Sequence, residues 1–133
     1  MIESLFGIHA SVASLLLRVV VGITFIVHGY PKLKDGGKGT GGWLKSLGVP
    51  SGFGLFAGVV EFFGGIALVL GLFTSIVAVL FAFWMLALVW LSLAKIKKKF
   101  VGGWEFDLLL LVGSLAVAAI GSGAFSLDRL LGI

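Results

Sequence analysis

Few side chains in this sequence can do chemistry, and most of them stand inside or beside apolar runs. They are Arg18, His28, Tyr30, Lys32, Glu61, Glu105 and Asp107. Glu61 is the sharpest case. It sits in Ala57-Gly58-Val59-Val60-Glu61-Phe62-Phe63-Gly64-Gly65, the one charge in the run from Gly52 to Phe73. A carboxylate there needs a cation, a proton or a purpose, because ionised groups in lipid are costly. Arg18, at a roughly matching depth of the first run, is the expected partner. Such a pair has two readings: a salt bridge that locks two helices, or a polar anchor in a ligand pocket or proton relay.

A second group gathers towards one end. His28 and Lys32 are four apart and share a helical face. Glu105 and Asp107 open the last run, where acidic side chains favour a helix N-terminus. These groups can close a network between the first and last helices. The structural alternatives are capping for the two acids, snorkelling for Lys32 and an interhelical hydrogen bond for His28. His28, Tyr30, Arg18 and Lys32 are the hydrogen-bond donors available to a ligand in such a pocket, and Phe25, Phe62, Phe63 and Trp104 are its aromatic neighbours in sequence.

Other chemistries lack their residues. The chain has no cysteine, which excludes disulfides, thiolate metal sites and clusters held by its own thiolates. No Ser-His-Asp or Glu-x-x-His arrangement is present. His9 and His28 are nineteen residues apart on one run, about 28 Å along a helix, too far to sandwich one haem. One imidazole among carboxylates has no metal-ligand spacing, so no metal site is expected. The segment Gly36 to Gly42 lacks the Gly-Lys-Ser/Thr ending and the preceding strand of a phosphate loop. The run Lys95-Ile96-Lys97-Lys98-Lys99 reads as an orientation signal and a contact for anionic lipid, not as a nucleic-acid site.

The elements that must position these residues follow from composition. Of 133 residues, 59% are hydrophobic and 12% charged, against roughly 25% charged in soluble domains. Four runs are long enough to cross a bilayer as helices: about 10–33, 52–73, 74–94 and 104–123. The expected fold is therefore an all-α integral membrane protein, a four-helix transmembrane bundle forming one domain over 1–133. A short interfacial helix, Trp43 to Leu47, is expected in the first link. Thr74 and Ser75 can cap the third helix, and Pro50 and Ser51 mark the start of the second. Gly54 and Gly58 form a small-xxx-small face, and Gly22 and Gly29 are seven apart on the first helix. The third helix is bulky, with Phe81, Phe83, Trp84, Met85 and Trp90; it faces lipid or lines a pocket. Lysines crowd the first and third links, which predicts both links in the cytoplasm and both termini outside.

Several segments together resemble the DoxX family of small four-span membrane proteins. They are Leu15-Leu16-Leu17-Arg18, His28-Gly29-Tyr30-Pro31-Lys32-Leu33, Trp43 to Pro50, Gly58-Val59-Val60-Glu61 with Gly64-Gly65, Leu70-Gly71-Leu72-Phe73-Thr74, Glu105, and Phe125 to Leu130. Asp107 stands outside the pattern. The resemblance implies a prokaryotic cytoplasmic membrane location and the polar set Arg18, His28, Lys32, Glu61 and Glu105. Some members are associated with quinone-linked sulfur oxidation or a terminal quinol oxidase. Others resemble a membrane partner of superoxide dismutase and a sulfurtransferase in an oxidative-stress complex.

The functional expectation is a membrane subunit of a quinone-linked redox complex. Its cofactor is a quinone or similar lipophile, held by Arg18, His28, Tyr30, Lys32, Glu61 and Glu105. Its partners are the bilayer, a second copy or another membrane subunit, and a soluble redox enzyme. The alternative is a non-enzymatic scaffold or small-solute transporter with Arg18 and Glu61 as structural pair or pathway residues.

Overall fold

Backbone groups in lipid must bond within their own segment, and in the computed structural model every apolar run is helical. It describes residues 1–133, apart from the side chains of residues 3 and 6–8. The helices are α1 (Ile2–Lys34), α2 (Lys38–Ser46), α3 (Phe53–Leu70), α4 (Thr74–Leu91), α5 (Glu105–Ile120) and α6 (Leu127–Leu131). Among the described residues there is no strand. Four helical stretches are long and apolar enough to cross a membrane: His9–Lys34, Phe53–Leu70, Thr74–Ile96 and Phe100–Ile120. The expected short interfacial helix is present but starts earlier, at Lys38, and takes in the glycines of the first link.

The chain divides into two compact units. One comprises Met1–Val21 with Ala67–Ile133, the other Gly22–Ile66.

In the first unit, α4 lies along α5. Ala78, Phe81, Ala82 and Met85 are buried at helical spacing, which makes one stripe of α4 its packing face. Phe83, Leu86 and Trp90 on the remaining surface are exposed, as expected of side chains that meet lipid. A wide π-type turn over Ser92–Ile96 ends α4. Its closing residue, Lys97, is left-handed at φ 55°. The turn Phe100–Trp104 leaves helical geometry at Val101, Gly102 and Gly103 before α5 begins.

In the second unit, the last part of α1 and the first part of α3 approach at backbone distance. A Cβ placed on Gly65 would stand 2.6 Å from the Gly22 carbonyl oxygen, and one on Gly29 would stand 2.5 Å from the Phe62 nitrogen. A Cβ on Gly58 would meet the Lys32 Cβ at 2.9 Å. Lipid tails are as apolar as leucine, so helix association in a membrane relies on this kind of close packing. Asp35 starts α2 by accepting from the N–H groups of Gly37 and Gly39, each at 2.9 Å. Buried Leu44 and Gly41 hold α2 in this unit, and Gly41 and Gly54 pack without room for a side chain.

Candidate functional site

Two charged clusters emerge, one in each unit, and they are built differently.

The first surrounds the turn between α3 and α4. Gly71 takes a left-handed φ of 71°, and a Cβ there would stand 2.6 Å from Arg18 Nη1. The turn therefore needs glycine on two grounds: conformation and space. The last carbonyls of any helix lack intrahelical partners. At the end of α3 Arg18 supplies them, with Nη1 donating to the Leu68 and Val69 carbonyls at 3.2 and 3.1 Å. Nη2 donates to the Phe125 carbonyl at 2.6 Å. A cation at a helix C-terminus also suits the helix dipole.

The start of α4 has the complementary need. Its N-cap position is Phe73, left-handed and without a side-chain cap of its own. Asp128, from α6, accepts the Phe73 N–H at 2.6 Å and the Thr74 N–H at 2.8 Å. The Asp128 N–H in turn donates to the Gly71 carbonyl at 2.9 Å. Burial raises the Asp128 carboxyl. The N–H groups of Thr74 and Phe73 and the Arg18 charge outweigh that and hold it below the ordinary carboxylate range. Ser14 completes the attachment of this chain end by donating to the Gly121 carbonyl at 2.6 Å.

The second cluster lies where α1 and α3 touch. Lys32 Nζ donates to Glu61 Oε2 at 2.5 Å. Glu61 is nearly sealed at 4% side-chain exposure, whereas Lys32 keeps 21%. Two local features bring them together. Gly58 leaves room for the Lys32 stem. Helical side chains also lean towards their own N-terminus, which carries the ammonium along α1 towards Glu61. The Tyr30 ring stands 6.2 Å from that of Phe62, and Phe62 meets Phe63 edge to face at 5.2 Å. His28 and Tyr30 are exposed. The unit offers a buried anion with a partly accessible cation, and rings on the residues that neighbour them in the chain.

The expected pairing of Arg18 with Glu61 is corrected by these contacts. Arg18 gives its hydrogen bonds to the Leu68, Val69 and Phe125 carbonyls beside it, and Glu61 takes Lys32. Lys32 does not snorkel outward. Glu105 and Asp107, expected to close a network with His28 and Lys32, hold partners near their own turn. Glu105 accepts the Gly102 N–H at 2.7 Å within its own turn. Asp107 accepts from the buried Ser92 hydroxyl at 2.8 Å and stands 3.6 Å from Lys98, so it joins the end of α4 to the start of α5. The cap of α4 is also corrected: it comes from Asp128, not from Thr74 or Ser75. Asp128 is not among the residues the sequence singles out. The signal that could have found it is a helix start at Phe73 with no capping residue of its own.

Comparison with known proteins settles the kinship. A family model described as DoxX matches residues 13–94. The chain belongs to the DoxX family. Among DoxX relatives, a Bacillus subtilis (strain 168) protein named "Putative oxidoreductase CatD" is 40% identical over 117 residues, covering 88% of this chain and 85% of that protein. The Escherichia coli (strain K12) inner membrane proteins YphA and YqjF are 33% and 32% identical, covering 93% and 90% of this chain and 94% and 92% of their own lengths. No solved structure matches. The matched DoxX region contains both helices of the Lys32–Glu61 pair, and the protein is a multi-pass membrane protein.

Proposed function

We propose that this DoxX protein is the membrane subunit of a redox complex and binds a quinone or similar lipophile beside Lys32 and Glu61. The observation that carries the reading is the uneven burial of the pair. Glu61 is closed off, but Lys32 keeps about a fifth of its side chain accessible, at 21%. A quinone carries two carbonyl acceptors on a flat ring and exchanges protons as it is reduced or reoxidised. The Lys32 ammonium is a donor for one carbonyl, and the Tyr30 hydroxyl or His28 for the other. Glu61 holds the Lys32 ammonium in place through their hydrogen bond. Phe62 and Phe63 offer the ring contact. Arg18 and Glu105 leave the proposed ligand set, since Arg18 is fully buried with both terminal nitrogens on backbone carbonyls and Glu105 accepts the Gly102 N–H. The side chains bring no thiol carrier, so electrons come from a bound cofactor or a partner enzyme. The oxidoreductase name of the Bacillus subtilis relative supports the same class of activity.

Residues 1–133 act here as one transmembrane domain in a prokaryotic cytoplasmic membrane, assembled with a second copy or another subunit. The lysine-bearing links face the cytoplasm and the termini the outside. Impermeant-reagent labelling of Lys45→Cys and Lys97→Cys should protect both in intact cells; labelling of just one overturns the topology.

The ligand test is a titration of purified protein with short-chain ubiquinone and menaquinone analogues, followed by intrinsic fluorescence. Saturable quenching is expected, weakened about tenfold by Glu61→Gln or Lys32→Met, the effect of losing one charge-assisted hydrogen bond of roughly 1.4 kcal/mol. No binding by the isolated protein or by its native complex overturns the reading.

A further inference from the structure

The segment between α4 and α5 carries a feature that the redox reading does not use. The apolar stretch of α4 runs to Ile96, and the next begins at Phe100. Between them stand Lys97, Lys98 and Lys99, with Lys95 one turn before. A link of three residues spans at most about 11 Å, so these lysines cannot leave the plane where the two spans emerge. That plane is the headgroup layer.

The turn is fixed. The Lys98 N–H donates to the Ser92 carbonyl at 2.9 Å, and Ser92 is itself tied to Asp107. Lys98 faces Asp107 at 3.6 Å. Lys95, Lys97 and Lys99 are exposed, and no acidic group pairs with them among the described residues. Beside them Phe100 and Trp104 stack edge to face at 4.8 Å, and Val101 is 80% exposed. Aromatic and apolar side chains next to lysines suit the boundary between headgroups and acyl chains.

Lys97 is the second observation. It occupies the left-handed closing position of the turn, where glycine or asparagine ordinarily sits. A lysine there is conformationally unfavourable, so the turn tolerates strain to keep a charge at this point.

We propose that Lys95, Lys97 and Lys99, with Phe100, Val101 and Trp104, form a binding site for the phosphate groups of an anionic phospholipid. Three ammoniums favour a lipid with two phosphates over one with a single phosphate, by charge matching. A soluble polyanion is disfavoured because the lysines are confined to the headgroup plane.

The test uses the full chain in nanodiscs of phosphatidylcholine doped with phosphatidylglycerol or cardiolipin, with bound lipid read by native mass spectrometry. Retention of cardiolipin above phosphatidylglycerol, and of both above phosphatidylcholine, is expected. The triple variant K95Q/K97Q/K99Q should lose at least fivefold of anionic-lipid retention, while K38Q/K45Q on α2 should lose little. Lys97→Gly guards against misfolding. It should raise the unfolding temperature, by relieving the left-handed position, and still lower anionic-lipid retention. Retention of phosphatidylcholine equal to that of the anionic lipids, or unchanged retention in the triple variant, overturns the proposal.

Discussion

Arg18 and Lys32 sit on the same helix, yet their surroundings could hardly differ more. Arg18 is fully buried, and its partners are carbonyl groups left over at a helix end and in the chain-terminal segment. Lys32 is partly accessible, and its partner is another ionisable side chain. Backbone partners cannot move without undoing a turn. A side-chain partner can be exchanged for a ligand group at the cost of one rotamer change. The difference separates a charge that holds the fold from a charge available for chemistry, and it can be tested variant by variant.

The largest effect should come from Arg18→Ala. It removes a donor from the Leu68, Val69 and Phe125 carbonyls, of which Leu68 keeps the Gly71 N–H, and leaves Asp128 without its cation. A loss of about 3–5 kcal/mol is expected, from buried groups at roughly 1–3 kcal/mol each, read as an unfolding midpoint in mixed micelles. A loss below about 1 kcal/mol would contradict the assigned role.

Next comes Gly29→Ala. Its new Cβ would press on the Phe62 nitrogen and should cost about 1–3 kcal/mol as overpacking. Because it parts α1 from α3, quinone-analogue binding should fall with it. Unchanged binding would show that the pair tolerates a wider helix gap than its geometry implies.

Lys32→Met should destabilise by a similar or smaller amount, about 1–3 kcal/mol. Lys32 is partly accessible, which limits the loss. The double variant Lys32→Met with Glu61→Leu should recover most of the stability, since an apolar pair of similar volume can replace a buried ion pair. Failure to recover would place Glu61 with the structural charges.

The pH response sharpens the contrast further. The folded Asp128 carboxyl lies below its ordinary value of 3.8. Its contribution is complete above that value. It is lost as pH falls through 3.8 towards the lower folded value, because the unfolded chain takes up the proton first. Acid titration of the unfolding midpoint should show this loss, and Asp128→Asn should flatten it. The smallest effect is expected from Asp35→Ala, about 0.5–2 kcal/mol for a lost cap on α2. Circular dichroism and proteolysis near Trp43 should report it.

Hydropathy and length made the four spans legible, because lipid admits only one backbone solution for runs of this length. The glycine contacts of the second unit were partly legible, in the spacing of Gly22 with Gly29 and in Gly58. The partner of Glu61 was not. Depth matching pointed to Arg18, but it omitted backbone carbonyls, which compete for a guanidinium and leave no mark in residue identity. For Lys32 it left a polar network and snorkelling side by side, without the inward lean that a helix gives its side chains. Asp128 was hidden for a related reason: its role depends on a helix start fifty-five residues earlier in the chain.

The glycine contacts between α1 and α3 bear on how this protein could be re-engineered. With main chains touching at Gly22, Gly29, Gly58 and Gly65, the two segments form a strut that admits neither lipid nor guest between its members. Any attempt to change what it accommodates has to leave those four positions alone. The adjustable positions are at the rim, at Tyr30, Phe62 and Phe63, where a different ring or a smaller side chain alters the entrance without loosening the frame.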